Sequence, residues 1–245
     1  MGPEIAIILC GAFAASFVAG AAGFGDALIA AAIWLQFFTP VETVPVIVAS
    51  FFIMHVVMLS LMRRRLDFRY LWPFIIGGAI GVPLGAQLLK IVDPETFKRV
   101  AGAGLIAYGV VMLGLSNLPV ITWGGRLLDA FVGWIGGVMG GFAGLSGFVP
   151  AIWCTQRGWP RDQARGVTQP MIMTMHGMAL GWMAYGGLVT TTTGFRVAVA
   201  APAIALGAWL GVRLYGRFDD KKFRQCVLAL LIAAGALLLF NPGGR

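Results

Sequence analysis

The stretch Ala19–Ala30, AGAAGFGDALIA, places three glycines and an aspartate inside an apolar run. The run has the composition of a membrane-spanning helix, yet glycine weakens a helix and a carboxylate is costly in hydrocarbon. Backbone that is not helical is tolerated at membrane depth only where it is buried in protein or lines a polar cavity. The stretch therefore predicts a helix that is broken beside a cavity.

The composition of the whole chain is typical of an integral membrane protein. Of its 245 residues, 59% are hydrophobic and only 11% are charged, against about 25% charged in soluble domains. Apolar windows of about 20 residues recur along the chain, and each is long enough to cross hydrocarbon as a helix. The three cysteines, Cys10, Cys154 and Cys226, show no metal-binding or disulfide spacing, so neither a metal site nor a disulfide framework is expected. No cofactor is expected either.

The hydropathy of the chain, with glycine, proline and charged residues marking the segment boundaries, predicts an all-α polytopic membrane protein with a single transmembrane domain, residues 1–245. Ten helical segments follow one another. The second and seventh are too short to cross upright, so about 8 to 10 segments cross, with short broken or re-entrant helices near the midplane. The segments are Ile5–Ala22, Phe24–Phe38, Val41–Met62, Tyr70–Val92, Thr96–Ser116, Leu127–Ala143, Ser146–Gln156, Ala164–Gly186, Phe195–Leu214 and Lys222–Phe240.

The two halves of the chain resemble each other. The motif GAAGFGD lies 121 positions before GFAGLSG, and two histidines are separated by the same interval. Several matches in one order predict an internal repeat, with repeat 1 at residues 5–118 and repeat 2 at residues 126–240. The matches pair Gly20–Asp26 with Gly141–Gly147, His55 with His176, Pro83–Leu88 with Ala205–Leu210, and Asp93–Arg99 with Asp219–Gln225.

The basic residues indicate how the repeats lie in the membrane. If the loop with Arg63, Arg64, Arg65 and Arg69 is cytoplasmic and each half crosses an odd number of times, most other basic residues also face the cytoplasm. The charges therefore predict an inverted repeat with both termini outside. The net charge of +8 comes from such loops and indicates topology rather than nucleic-acid binding.

Glycine breaks at corresponding positions of two inverted halves predict a central transport site. The short helices that begin near Phe24 and Ser146 present backbone N–H groups and a positive dipole end, and glycine lets an anion approach closely. The predicted ligand is a small anion. The glycines assigned to this site are Gly23, Gly25, Gly144 and Gly147, and the hydrogen-bond donors are Ser146, Thr168 and Gln169. Arg157, Arg161 and Arg165 are expected to draw anions to the cytoplasmic mouth.

Three ionisable residues lie inside apolar segments. Asp26 is a candidate carrier of a coupling proton, and the alternative is that it caps the N-terminus of the second helix. His55 and His176 occupy equivalent positions of the repeat, where they either contact protons and anions or are hydrogen-bonded packing residues.

Other glycines recur at intervals of four residues and predict close helix packing rather than a binding site. They are Gly77, Gly81, Gly85, Gly133, Gly137, Gly141, Gly207 and Gly211.

Four stretches of the chain resemble the TauE/SafE family of sulfite and sulfonate exporters, also called the toluene sulfonate uptake permease family. They are GFGDALIA at 23–30, RRRLDFR at 63–69, GLSGFVPAIWCTQRGWPRDQARGVTQP at 144–170 and MHGMALGW at 175–182. The resemblance implies a bacterial inner-membrane carrier that moves small sulfur-containing or related organic anions, often out of the cell. Its glycine-rich turns map to Gly23, Phe24, Gly25 and Asp26 and to Gly144, Leu145, Ser146 and Gly147, and its polar turn maps to Gly166, Thr168 and Gln169.

We therefore expect a secondary transporter, an exporter by resemblance, of sulfite or a small organosulfonate or carboxylate, with protons as candidate coupling ions. Its expected partners are the lipid bilayer and its substrate, and a homodimer is a candidate assembly. Two alternatives stay open, an anion channel and a rhomboid-like intramembrane protease. The protease would use Ser146 as nucleophile and His176 as base, which requires a hydrogen bond between them.

Overall fold

A computed structural model describes residues 2–22, 25–61, 68–114, 120–214 and 220–240, without the side chains of residues 22, 60, 61, 161, 162 and 220–224. The described residues form ten α-helices and no strand. The helices are α1 Gly2–Ala22, α2 Asp26–Trp34, α3 Pro40–Leu61, α4 Phe68–Ile91, α5 Pro94–Gly114, α6 Gly125–Ala143, α7 Phe148–Gln156, α8 Arg161–Tyr185, α9 Thr191–Leu214 and α10 Asp220–Phe240.

Each of the ten predicted segments corresponds to one helix, which confirms the all-α fold class. The two predicted short segments are α2 and α7, with nine residues each. A helix of that length rises about 14 Å, roughly half the thickness of the hydrocarbon core. Neither helix can cross the bilayer alone.

The long helices supply the membrane-spanning part of the fold. Within the described ranges, five of them are long and apolar enough to cross a membrane, judged by length and composition. They are α1, α3, α4, α5 and α9.

Close backbone packing between α4 and α6 explains the glycine series in both helices. A Cβ atom built on any of these glycines would collide with a backbone carbonyl of the other helix. The pairs run in the same direction along both helices, so α4 and α6 are parallel. The pairs, each glycine followed by the residue whose carbonyl its Cβ would meet, are Gly77 and Ala130, Gly81 and Trp134, Gly85 and Val138, Gly133 and Phe74, Gly137 and Gly78, and Gly141 and Val82. The predicted packing role of these glycines is confirmed.

The same kind of contact joins α1 to α9. A Cβ on Gly207 would lie 2.5 Å from the carbonyl oxygen of Phe13, and one on Gly211 would collide with the carbonyl of Phe17. In the predicted repeat, α1 would correspond to α6 and α9 to α4. Each glycine-packed pair therefore joins one helix of the first half to one helix of the second, and the two halves are interlocked.

Charged side chains reinforce the α1–α9 pair at one end. Arg196 of α9 is 8% exposed, and its guanidinium lies 2.9 Å from the Glu4 carboxylate of α1 and 3.7 Å from that of Glu42 at the start of α3. The guanidinium also lies over the Phe38 ring, 4.4 Å from its centroid. The first turns of α1, α3 and α9 are thereby held at one end of the bundle.

Replacing Gly81 with alanine should destabilise the protein, because the new methyl group would run into the α6 backbone. Overpacking of this kind costs about 1–3 kcal/mol, so the Tm of the purified protein in detergent should fall. Gly104→Ala is the matched control, since a Cβ there meets nothing within 4 Å. Equal Tm values for the two variants would contradict the close packing of α4 on α6.

Candidate functional site

Gly25 lies at the break between α1 and α2, and Asp26 follows it. Gly25 is the N-cap residue of α2 and has φ of 93°, a left-handed conformation that favours glycine. Asp26 is the first residue of the helix, so it follows the N-cap position rather than occupying it. Two predicted site residues, Gly23 and Phe24, lie outside the described residues.

Asp26 meets His55 of α3 in the interior of the protein. Each residue is 6% exposed, and the Oδ2 atom of Asp26 lies 2.9 Å from Nε2 of His55. The two atoms are not aligned as a directed hydrogen bond, and Nδ1 of His55 has no partner. A buried carboxylate therefore has one adjacent group that can neutralise it when protonated.

The break between α6 and α7 is the counterpart in the second half. Gly144 ends α6 in a left-handed conformation, with φ of 73°, and Gly147 is the N-cap residue of α7. Leu145 is buried between them, and its N–H donates to the carbonyl of Met139 at 3.2 Å. The chain thus turns sharply between two helices, as the glycine motif predicts.

His176 of α8 ties this second break to the centre of the protein. Its Nε2 atom lies 3.0 Å from the carbonyl oxygen of Gly144. Because a carbonyl can only accept, Nε2 carries a proton in this contact, and Nδ1 of a neutral ring is then an acceptor. That Nδ1 atom is fully buried and has no hydrogen-bond partner.

The two histidines lie next to each other. Their ring centroids are 6.0 Å apart with an angle of 48° between the planes. A continuous series of contacts therefore runs from Asp26 on α2 through His55 and His176 to the carbonyl of Gly144. The residues that the sequence analysis proposed for coupling are brought together between the two helix breaks.

Further polar atoms at the second break and on α8 are buried without a partner. They are the hydroxyl of Ser146, which packs against Gly140 and is 0% exposed, and Oε1 of Gln169, which is 8% exposed. Thr168 differs, because its hydroxyl donates to the Ala164 carbonyl in its own helix at 2.9 Å. Buried polar atoms are normally satisfied, so these groups are available to a polar ligand.

The first turn of α7 offers fewer N–H donors than predicted. The N–H of Phe148 already donates to the carbonyl of Leu145 at 3.1 Å, and Pro150 has no N–H. In α2 the first helical hydrogen bond is from Ile29 to Gly25 at 2.9 Å. The three preceding amides of α2 have no acceptor within the helix. The N-terminus of α2 therefore offers more free donors to an anion than the N-terminus of α7.

The geometry that a serine protease needs is absent. Ser146 and His176 are both described, but neither the serine hydroxyl nor Nδ1 of the histidine has a hydrogen-bond partner. The other ring nitrogen contacts the Gly144 carbonyl instead. No Ser–His dyad is formed.

Sequence reasoning missed the contact between Asp129 and Arg157. Asp129 is 4% exposed, accepts from Nε1 of Trp153 at 2.7 Å and lies 3.1 Å from the Arg157 guanidinium. The Arg157 guanidinium also donates to the carbonyl of Gly125 at 3.2 Å. Arg157 is therefore a fixed, neutralised link between α6 and α7 rather than a free cation at the mouth. The available signal was Asp129 itself, a carboxylate inside an apolar segment.

Asp26 and His55 should be energetically coupled. The single substitutions Asp26→Ala and His55→Ala and their combination form a double-mutant cycle, measured as the free energy of unfolding in detergent micelles. Residues in contact show coupling of about 0.5–3 kcal/mol, and we expect a value in that range. Asp26→Ala combined with Arg99→Ala, an exposed site on α5, should be additive. Additivity in the first cycle would show that the short distance carries no interaction.

The chain is similar to known membrane transporters over almost its whole length. The profile of the family described as Sulfite exporter TauE/SafE matches residues 7–238. A Haemophilus influenzae protein described as a probable membrane transporter protein is 22% identical over 250 residues, which cover 98% of this chain and 96% of that protein. No solved structure matches significantly. The chain therefore belongs to the sulfite exporter TauE/SafE family and is a multi-pass membrane transporter rather than an enzyme.

Proposed function

We propose that this protein is a secondary carrier that binds a small oxyanion, either sulfite or a small organosulfonate or carboxylate, beside His55 and His176. The observation that carries this proposal is the contact between the two imidazoles, 6.0 Å apart at their centroids. The contact brings one residue from each half of the chain to the two helix breaks. It also lies in the part of the protein where polar atoms are buried without partners.

The unpartnered atoms support a polar ligand. An unsatisfied buried polar group costs about 1–3 kcal/mol, and several such groups lie near the two breaks. The amides in the first turn of α2 add donors and the positive end of a helix dipole. A ligand with several acceptor oxygens would satisfy more of these groups than a single water molecule.

Asp26 supports a role for protons in the transport cycle. A buried carboxylate at the start of α2 repels an anion that approaches the same amides. A proton on His55, whose Nε2 atom lies 2.9 Å from the Asp26 carboxylate, would neutralise that carboxylate and remove the repulsion, and a proton on His176 would attract the anion. Proton binding and anion binding would then favour each other. Affinity for the anion should accordingly rise as the pH falls.

The moving parts of the carrier would not be the two sequence halves. The glycine contacts join α4 to α6 and α1 to α9, and close packing of this kind resists sliding. We infer that each glycine-packed pair moves as one body. The oxyanion site would then open and close where α3 and α8, the helices of His55 and His176, meet.

The proposed location is the inner membrane of a bacterium, with both termini on the outer side. The parallel pairs α1–α9 and α4–α6 support the inverted repeat, because each pair joins helices that such a repeat would orient alike. The assignment of the termini to the outer side rests on the basic loops. Export and sulfite are taken from the family description alone.

Flux into proteoliposomes tests the function. Uptake of labelled sulfite should saturate with concentration and should increase when the pH gradient supplies protons in the direction of anion movement. Asp26→Asn should keep saturable flux but lose most of its response to the gradient. Asp93→Asn is the control, because Asp93 caps α5 away from the site, with its Oδ1 atom 2.9 Å from the Thr96 amide, and asparagine caps equally well.

Two outcomes of this assay would contradict the proposal. Flux that rises linearly with concentration would indicate a channel, and gradient-sensitive flux in Asp26→Asn would remove the carboxylate from the coupling mechanism. Sulfoacetate and sulfate, assayed in the same vesicles, test the substrate class.

Alkaline phosphatase fusions test the orientation. The enzyme becomes active only in an oxidising compartment outside the cytoplasm. A fusion after Arg245 should be active in a Gram-negative host, and a fusion after Leu61 should be inactive. The reverse pattern would overturn the orientation but leave the oxyanion site unaffected.

A further inference from the structure

A cavity lies between α3 and α9, and neither His55 nor His176 lines it. Its volume is about 460 Å³, and most of its lining is apolar. Of the described residues that line it, Arg213 alone is charged. The apolar lining includes Ile53 and Val57 of α3 and Val197, Ala205 and Val212 of α9.

The cavity is a groove that opens sideways toward the bilayer. Its apolar walls are exposed, with Ile53 at 53%, Val57 at 51% and Val212 at 55%. The small side chains of Ala205 and Ala208 leave the hollow between the helices. From Val197 to Arg213, α9 rises about 24 Å, which exceeds the depth of one leaflet of a bilayer core about 30 Å thick. A groove of this length and polarity fits an acyl chain.

Arg213 supplies a positive charge at one end of the groove. It lies in the last turn of α9, and its guanidinium stands over the ring of Trp209, 5.1 Å from the centroid. Arg99, Arg157 and Arg196 pair with carboxylates, whereas no described carboxylate is paired with Arg213. Tryptophan and arginine together are typical of the headgroup region of a membrane.

We propose that this groove binds one anionic phospholipid, with its phosphate at Arg213 and an acyl chain between α3 and α9. The charge selects an anionic headgroup, because a basic pocket between transmembrane helices on the cytoplasmic side attracts such lipids. The end of α9 with Arg213 is the predicted cytoplasmic end. The site does not depend on the oxyanion site, although both use α3.

Native mass spectrometry of the full-length protein in detergent tests the proposal. Dioleoyl phosphatidylglycerol and dioleoyl phosphatidylcholine are titrated separately, and bound lipids are counted. One phosphatidylglycerol should bind about fivefold more tightly than phosphatidylcholine, the effect of a single basic residue near a headgroup. Arg213→Gln should reduce the ratio to about one. Ala205→Phe, which fills the groove, should weaken binding of both lipids.

Arg126→Gln is the matched control, because Arg126 also stands over a tryptophan, Trp72, at 5.6 Å, but does not line the groove. This variant should keep the lipid preference, and a Tm measurement on each variant confirms that it is folded. Equal loss of preference in both arginine variants would overturn the proposal, since the effect would be one of overall charge. A dimer that Ala205→Phe converts to a monomer would overturn it in favour of a second copy of the chain.

Discussion

Two helices of this protein are only about half as long as the hydrocarbon core of a membrane is thick, and in a membrane the polar groups at their ends have to be enclosed by protein. Backbone that is not paired within a helix is very costly in hydrocarbon. α2 and α7 each have nine residues and begin at a glycine N-cap. The longer helices provide the enclosure, and the side chains that meet the breaks come from α3 and α8.

The close packing of the longer helices depends on glycines, which have no side chain. Glycines let α4 approach α6 and α1 approach α9 until each backbone touches the other. Asp26, His55 and His176 are buried inside this packed structure, in a protein whose core is otherwise built mainly of apolar side chains. The proposed carrier function would give these residues a reason to be there, because an apolar core would be more stable but could not bind an anion.

The hydropathy of the chain and the positions of its glycines were sufficient to predict all ten helices. Both are local properties, because they depend on residues that are neighbours in the sequence. The pairing of His55 with His176 was also suggested by sequence, through their equivalent positions in the predicted repeat. The sequence grouped Asp26 with the two histidines as coupling residues, but the direct contact of Asp26 with His55 could not be predicted, because a distance between helices depends on how the helices pack. For the same reason the sequence could not show that Asp129 lies beside Arg157, and Arg157 was predicted to be a free cation. The number of free N–H groups at the N-terminus of α7 was overestimated. The Phe148 N–H donates a hydrogen bond to the Leu145 carbonyl, and this bond depends on the local turn geometry.

A crystal structure of the protein soaked in selenite, a close chemical analogue of sulfite, would locate the bound oxyanion by the anomalous scattering of selenium. The mechanism proposed for this carrier predicts a selenium peak between the start of α2 and the α6–α7 break, with its oxygens about 2.7–3.2 Å from nitrogen donors that include His55 or His176. A peak found only at surface arginines, with no density beside the two histidines, would contradict it.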